Sequence, residues 1–282
     1  MLGSVKDLSA TDLFCLVVDA DMPSEDGSGV VFHSLDVLQG GLAVAIKKKY
    51  KGNRLRWSCK PLYLAYLIQL GYDSVIYVDN DVYFFSSPDF LFEKLEHCSV
   101  LLTPHHYPMD PASSQNWLEA NYRVGLYNAG FVGVSQSSVS ALDWWAECCL
   151  YNVKKSAWRG LFDDQKYLDL LPIIFDGVEV LKHRGCNVAG WNATTSIRSV
   201  DAGGGLVLAS RWPLVFIHFT PLTYRYVLEG KDDLLEPFLN IYQERLRAYN
   251  PFYRIEQDMR RGWGDLLLYF RYIRWHIARW FE

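Results

Sequence analysis

Val75-Ile76-Tyr77-Val78-Asp79-Asn80-Asp81 carries the deciding pattern of this 282-residue chain, four apolar strand-forming residues running straight into two carboxylates spaced two apart. An apolar run without polar alternation reads as a strand buried on both faces, the kind found in parallel sheets. Its carboxylates then stand at the carboxyl end of the strand, where open α/β sheets form their ligand crevices. Two carboxylates so placed can share a hard divalent cation, which in turn neutralises phosphate oxygens. The pattern alone is poor evidence, because Asp19-Ala20-Asp21 repeats it after a second apolar strand at residues 13–18. The surroundings separate the copies. Asp81 is followed by another extended segment, Val82-Tyr83-Phe84-Phe85, whereas Asp21 runs into Pro23, Ser24 and Asp26 and reads as the start of a loop.

Between the two apolar strands, Leu62, Ala65, Tyr66 and Gln69 keep helical spacing within residues 58–70. Strand, helix and strand make the unit of a parallel sheet. Further strands are predicted at residues 100–103, 129–134 and 215–219, and a long amphipathic helix at 139–153. The expected fold class is therefore α/β, a mixed and mostly parallel sheet flanked by helices. Strand signals stop after Tyr224 and a helical composition takes over. The Gly-rich loops at residues 26–29 and 202–205 lack the spacing of a dinucleotide fingerprint or a phosphate-binding P-loop.

Half the residues are hydrophobic, enough for a sizeable core, and 15% are aromatic, which more often fills cores than lines sugar sites. A net charge of -4 gives no electrostatic footprint for nucleic acid. The 6 cysteines form no CxxC pair, which predicts a reduced, cytoplasmic protein. No run reaches the roughly 18 apolar residues of a membrane span. The tail at residues 260–282 sets Trp263, Leu266, Phe270, Ile273, Ile277 and Trp280 against five arginines. That stripe predicts either a helix docked on the rest of the chain or a peripheral membrane contact at the inner face.

Lys60-Pro61-Leu62, followed by Gly71-Tyr72-Asp73-Ser74 and the deciding stretch, resembles the core of GT-A fold glycosyltransferases, in particular those similar to glycosyltransferase family 8. Four later segments agree in order: Tyr127-Asn128-Ala129-Gly130-Phe131, Asp163-Asp164-Gln165, residues 187–192 with Asn187 and Trp191, and Ile217-His218-Phe219. Taken singly, each has a plain structural reading. Asn128 can cap a turn, Asp163 and Asp164 can cap a helix through residues 166–171, Lys60 can be a solvated residue, and Trp191 and His218 can be core. The ordered combination, over residues 2–222, reverses that preference.

The resemblance implies a catalytic domain at residues 1–222 with a helical C-terminal extension at 223–282. It implies Asp79, Asp81 and His218 as metal ligands, Lys60, Asp79, Asn128, Asn187 and Trp191 around the donor, and Asp164 and Gln165 at the reacting carbon. The implied cofactor is Mn2+ (or Mg2+). The implied donor is a nucleotide-diphospho-sugar, a UDP-sugar first, and the acceptor is a glycan, lipid-linked or protein hydroxyl, with retention of configuration. One departure stands out: the family's sheet opens with a base-supporting strand ahead of the first helix, yet residues 1–8 already read as that helix, so the first strand is missing or altered. A sugar nucleotidyltransferase would need a basic Gly-rich loop that residues 1–13 lack. A glycosyltransferase-like interaction scaffold that has lost donor binding is the non-enzyme alternative.

Overall fold

The computed structural model describes residues 2–23 and 29–255, so the expectations for the 260–282 tail lie outside the described residues. In chain order the elements are α1 (Leu2–Lys6), β1 (Leu13–Val17), β2 (Val30–Ser34), α2 (Gly41–Lys49), α3 (Asn53–Gln69), β3 (Ser74–Val78), β4 (Val82–Phe84), α4 (Asp89–Leu95), β5 (Val100–Pro104), α5 (Gln115–Arg123) and β6 (Tyr127–Ser135). They continue with α6 (Val139–Tyr151), α7 (Leu171–Ile174), β7 (Val178–Val180), β8 (Arg198–Val200), β9 (Leu206–Leu208), β10 (Trp212–Pro213), β11 (Phe216–His218), α8 (Pro221–Leu228) and α9 (Glu236–Tyr249). The chain divides into two compact units, Met1–His218 and Phe219–Glu282.

In the first unit β6 is the organising strand, since eight of its nine residues are buried and it pairs on both edges. Gly133 sits where helix and strand close in, since a Cβ there would lie 3.1 Å from Leu95 and 3.2 Å from Leu101. Around it the sheet runs β3-β6-β5-β7, antiparallel on both sides of β6 and parallel between β5 and β7. The result is the expected mixed α/β architecture. On one face α3 and α6 bury Leu64, Leu67, Trp145 and Cys149 against Val132 and Val134; on the other, Leu91, Leu95 and Phe216 close on Phe131 and Leu101. At about 25 cal/mol per Å2, side chains of this size each contribute on the order of 2 kcal/mol by burial. A short antiparallel pair, β4 with β11, sets Val82 opposite His218. In the second unit Thr220 caps α8 by accepting from the Thr223 amide, and Phe219 stacks on Tyr242 of α9 with ring centroids 4.3 Å apart.

Two expectations change. β1 and β3 were expected to be neighbours buried on both faces, but β1 pairs with β2 instead, and every residue of β3 and four of five in β1 are half-buried. One edge of β1 is taken by β2, and among the described strands β3 pairs with β6 alone, so no ladder joins β1 to β3. The residues after Asp163 and Asp164 begin not an α-helix but a 3-10 turn, Lys166–Leu170, whose cap position belongs to Gln165.

Candidate active site

Period-two geometry puts Tyr77 and Asp79 on the same side of the chain at the end of β3, and the Tyr77 hydroxyl donates to Asp79 Oδ1 at 2.6 Å. The Asp79 amide in turn donates to the Gly130 carbonyl of β6 at 2.9 Å, which fixes the carboxylate against the sheet. From β11, His218 reaches back so that its Nε2 lies 2.9 Å from Asp81 Oδ1. One ligand atom each from Asp79, Asp81 and His218 falls within 4.8 Å of the others, a group that could hold a metal ion.

The donor set fits a divalent cation: two carboxylates supply hard oxygen, and one imidazole shifts preference towards a borderline transition metal. His218 Nδ1 lies 2.9 Å from Asn128 Nδ2 and 3.4 Å from Asn187 Oδ1. With Asn128 donating, Nδ1 accepts and Nε2 carries the proton towards Asp81. Coordination through Nε2 requires the other tautomer, whose Nδ1–H turns to Asn187 Oδ1, and the amide pair supplies both partners. Gly130 leaves the room: a Cβ there would stand 2.6 Å from His218 Cε1, 2.9 Å from Asn128 Oδ1 and 3.1 Å from Asp79 Oδ2.

Lys60 enters from α3, where Pro61 leaves the carbonyl of Trp57 without its helical donor. Its Nζ lies 3.2 Å from Asp79 Oδ1 and 3.2 Å from Asp164 Oδ2, donates to the Ala129 carbonyl at 3.1 Å, and sits 4.9 Å from the Tyr77 ring centre. Burial works against the ammonium charge, but Asp164 and then Asp79 outweigh it and hold Lys60 well above the usual lysine range. Asp79 is lowered: burial opposes its charge, while Lys60 and then His218 favour it more strongly. Asp164, 2% exposed, is pushed up to about 7, chiefly by burial, which Lys60 offsets only in part. His218 is raised; burial opposes its charge and Asp81 overcomes it.

The remaining expected residues converge here too, in supporting positions. Gln165 spends both ends of its amide on backbone, accepting from the Ala129 amide at 3.1 Å and donating to the Val124 carbonyl at 3.2 Å. Asn128 Oδ1 accepts from the Gly130 amide at 2.7 Å and its Nδ2 donates to Asn187 Oδ1 at 2.8 Å. Asn187, in the left-handed region at φ 60, donates to the Pro104 carbonyl. Trp191 donates its indole N–H to the His105 carbonyl at 2.9 Å and presents its ring edge-to-face to His218, centroids 5.3 Å apart. Asp163 is also left-handed, at φ 43, and pairs with Lys155 at 3.3 Å. Strained backbone of this kind concentrates at functional sites. By contrast Asp19 lies with Arg56, at 2.7 Å.

Sequence reasoning missed Tyr77 and His105, and took Asn192 only as the end of the segment that begins at Asn187. Tyr77 was within reach, because it shares a strand face with Asp79. The work of Asn192 was not, since besides its local bonds with the Ala189 amide and the Asn187 carbonyl it donates to the His105 carbonyl, a contact made across the fold.

No protein-family model matches the chain. Among solved structures the fold is similar to mouse xyloside xylosyltransferase 1, at TM-score 0.39 and 15% identity over 65% of this chain and 78% of that one. The uncharacterized protein YfnD of Bacillus subtilis (strain 168) is 30% identical over 173 residues, 59% of this chain and 53% of YfnD. The uncharacterized protein YfnF of the same organism is 30% identical over 222 residues, 74% of this chain and 72% of YfnF. Over that identity and coverage, the chain belongs to the family of YfnF.

Proposed function

We propose that this protein is a metal-dependent glycosyltransferase that moves a sugar from a nucleotide-diphospho-sugar, a UDP-sugar first, to a hydroxyl of a glycan, lipid-linked or protein acceptor. The observation that carries the reading is the meeting of Asp79, Asp81 and His218 with the buried Lys60 and Asp164 at the carboxyl end of β3. Residues 1–222 form the catalytic domain in this reading and 223–282 an extension, with a peripheral membrane contact assigned to 260–282 and a cytoplasmic location.

Asp79, Asp81 and His218 would hold Mn2+ or Mg2+, and a bound cation supplies Lewis-acid stabilisation of a departing diphosphate. Lys60 adds a fixed positive charge beside the same position, at no reorganisation cost because its partners already hold it. Asn128, Asn187 and Trp191 keep the His218 imidazole oriented, and Gln165 holds β6 to the Asp164 turn. Asp164 is too deeply buried and too fully engaged with Lys60 to serve an incoming acceptor hydroxyl as base, which favours retention of configuration. Its carboxyl instead helps to hold the positive charge on Lys60.

Titration calorimetry with UDP-, GDP-, CMP- and ADP-sugars, with and without Mn2+, tests the proposal beside Asp81→Ala. Metal-dependent binding of one donor, weakened at least about a hundredfold in the variant, is the expected result. A folded protein that binds none of them would instead be the non-catalytic scaffold.

A further inference from the structure

Between β7 and β8 the chain presents Asn187 and Trp191 to His218 from a stretch outside the named strands. One isolated parallel bridge ties it to β11, with the Val188 amide donating to the Phe216 carbonyl at 3.2 Å and the His218 amide to the Val188 carbonyl at 2.9 Å. Ala189, Asn192 and Ser196 are fully buried, so their carbonyls need donors that water does not supply. Each carbonyl has room for two, and Arg198 supplies one to all three. Its Nη1 donates to the Asn192 carbonyl at 2.8 Å and the Ser196 carbonyl at 2.6 Å, and its Nη2 to the Ala189 carbonyl at 2.9 Å and Asn192 Oδ1 at 3.3 Å.

That clamp closes on the residues that hold the imidazole. Asn192 Oδ1 accepts from the Ala189 amide at 3.1 Å, and its Nδ2 donates to the Asn187 carbonyl at 2.8 Å. Inside this frame Asn187 keeps its left-handed backbone, with Oδ1 3.4 Å from His218 Nδ1. A left-handed residue other than glycine persists only where its surroundings over-determine it. Arg198 also opens β8, part of the small antiparallel sheet β10-β9-β8, and from β10 the chain runs through Leu214 and Val215 into β11 and His218. Gly185 seats the stretch ahead of Asn187 against that connection: the Val215 amide donates to its carbonyl at 2.8 Å, and a Cβ there would collide with the Pro213 carbonyl. One small sheet thus carries the guanidinium at one end and leads to the imidazole from the other.

We propose that Arg198 is a positioning residue for the metal group: it holds Asn187 Oδ1 where His218 Nδ1 can donate to it, and so keeps available the tautomer whose Nε2 can ligate a cation. The inference rests on the reading of Asp79, Asp81 and His218 as metal ligands. A guanidinium suits the task because its planar fork fixes several oxygens at once, whereas a lysine ammonium is a single point with three donors. Without the fork the Ala189, Asn192 and Ser196 carbonyls each lose a donor, and Asn187 relaxes towards ordinary backbone. His218 Nδ1 then keeps Asn128 Nδ2 at 2.9 Å, which is itself a donor. That bond makes Nδ1 accept, which puts the proton on Nε2 and closes it to the metal. Arg198 therefore acts through Asn192 and Asn187.

Two measurements on wild type, Arg198→Met and Arg198→Lys test this: titration calorimetry with Mn2+, and hydrogen exchange of the metal-free proteins. Arg198→Met should bind Mn2+ at least about tenfold more weakly, and Arg198→Lys should recover part of the loss. In Arg198→Met the amides of Val188 and His218 should speed up at least about tenfold relative to those of β6. This comparison separates a local clamp from lost overall stability, which would speed all of them by one factor. If Arg198→Met does not fold, Arg198→Gln, which keeps a two-donor amide, takes its place in both measurements. Unchanged Mn2+ affinity in the folded variant would overturn the inference, and so would equal acceleration in β6. A wild-type chain that binds no Mn2+ would remove the metal reading and this inference with it. Binding lost in Asp81→Ala but kept in Arg198→Met would leave the metal reading standing and remove only the role given to Arg198.

Discussion

At Gly130 the missing side chain is the functional feature, because a methyl there would occupy space already claimed by His218, Asn128 and Asp79. All three are side chains that can move aside, so Gly130→Ala should fold, at a cost of about 1–3 kcal/mol, while dispersing the metal group. Calorimetry should show Mn2+ affinity falling at least about tenfold, with urea unfolding still cooperative. His106 provides a second test. Burial pushes it down to about 3, and its backbone is left-handed at φ 57. A histidine that stays neutral in the fold and takes a proton when unfolded contributes stability that is complete above pH 6.5 and is lost as the pH falls towards 3. His106→Asn keeps the left-handed backbone tolerable and should remove up to about 1.4 kcal/mol per pH unit from the acid slope of stability, measured by urea denaturation between pH 7 and pH 4.

Among elements, the tie between α3, the end of β3 and the Asp164 turn rests on one ammonium group. Lys60→Met would leave Asp164 buried without its cation and should cost about 3–5 kcal/mol in urea unfolding. Lys60→Met with Asp164→Leu should recover most of that loss; an equally unstable double variant would show that the pair matters through some other contact. The sequence announced these elements unevenly. β3, β5, β6 and α6 were legible because each is a long or uninterrupted apolar pattern, and the ordered motifs pointed to Lys60, Asp79, Asp81 and His218. β2 was not legible, since Val30-Val31-Phe32-His33 follows a loop and is too short to announce its partner. The half-exposure of β3 was equally hidden, because an apolar run states what a strand could bury and not which neighbours are there to bury it. Gln165 shows the same limit at the site, where its position was legible but its commitment to the Ala129 and Val124 backbone was not.

For the whole molecule the thiols give a global measure of packing. All 6 cysteines are free, Cys59, Cys98, Cys149 and Cys186 being buried and Cys15 and Cys148 half-buried. Burial pushes Cys148 up to about 11 and Cys59 to about 12, so little thiolate exists at neutral pH. Alkylation of the native protein should label Cys15 and Cys148 first and slowly, all six should react in denaturant, and prior reduction should leave the intact mass unchanged. No helix among the described residues is long and apolar enough to cross a membrane. The pairing of β4 with β11 has a consequence in time as well as in space. Asp79 and Asp81 leave the ribosome early, but the imidazole that completes their group arrives only with residue 218. At ordinary rates of synthesis that interval is on the order of ten seconds. A nascent chain can therefore assemble its central sheet while its two carboxylates remain without the imidazole, so a cation held by all three would be captured only by a nearly finished first unit.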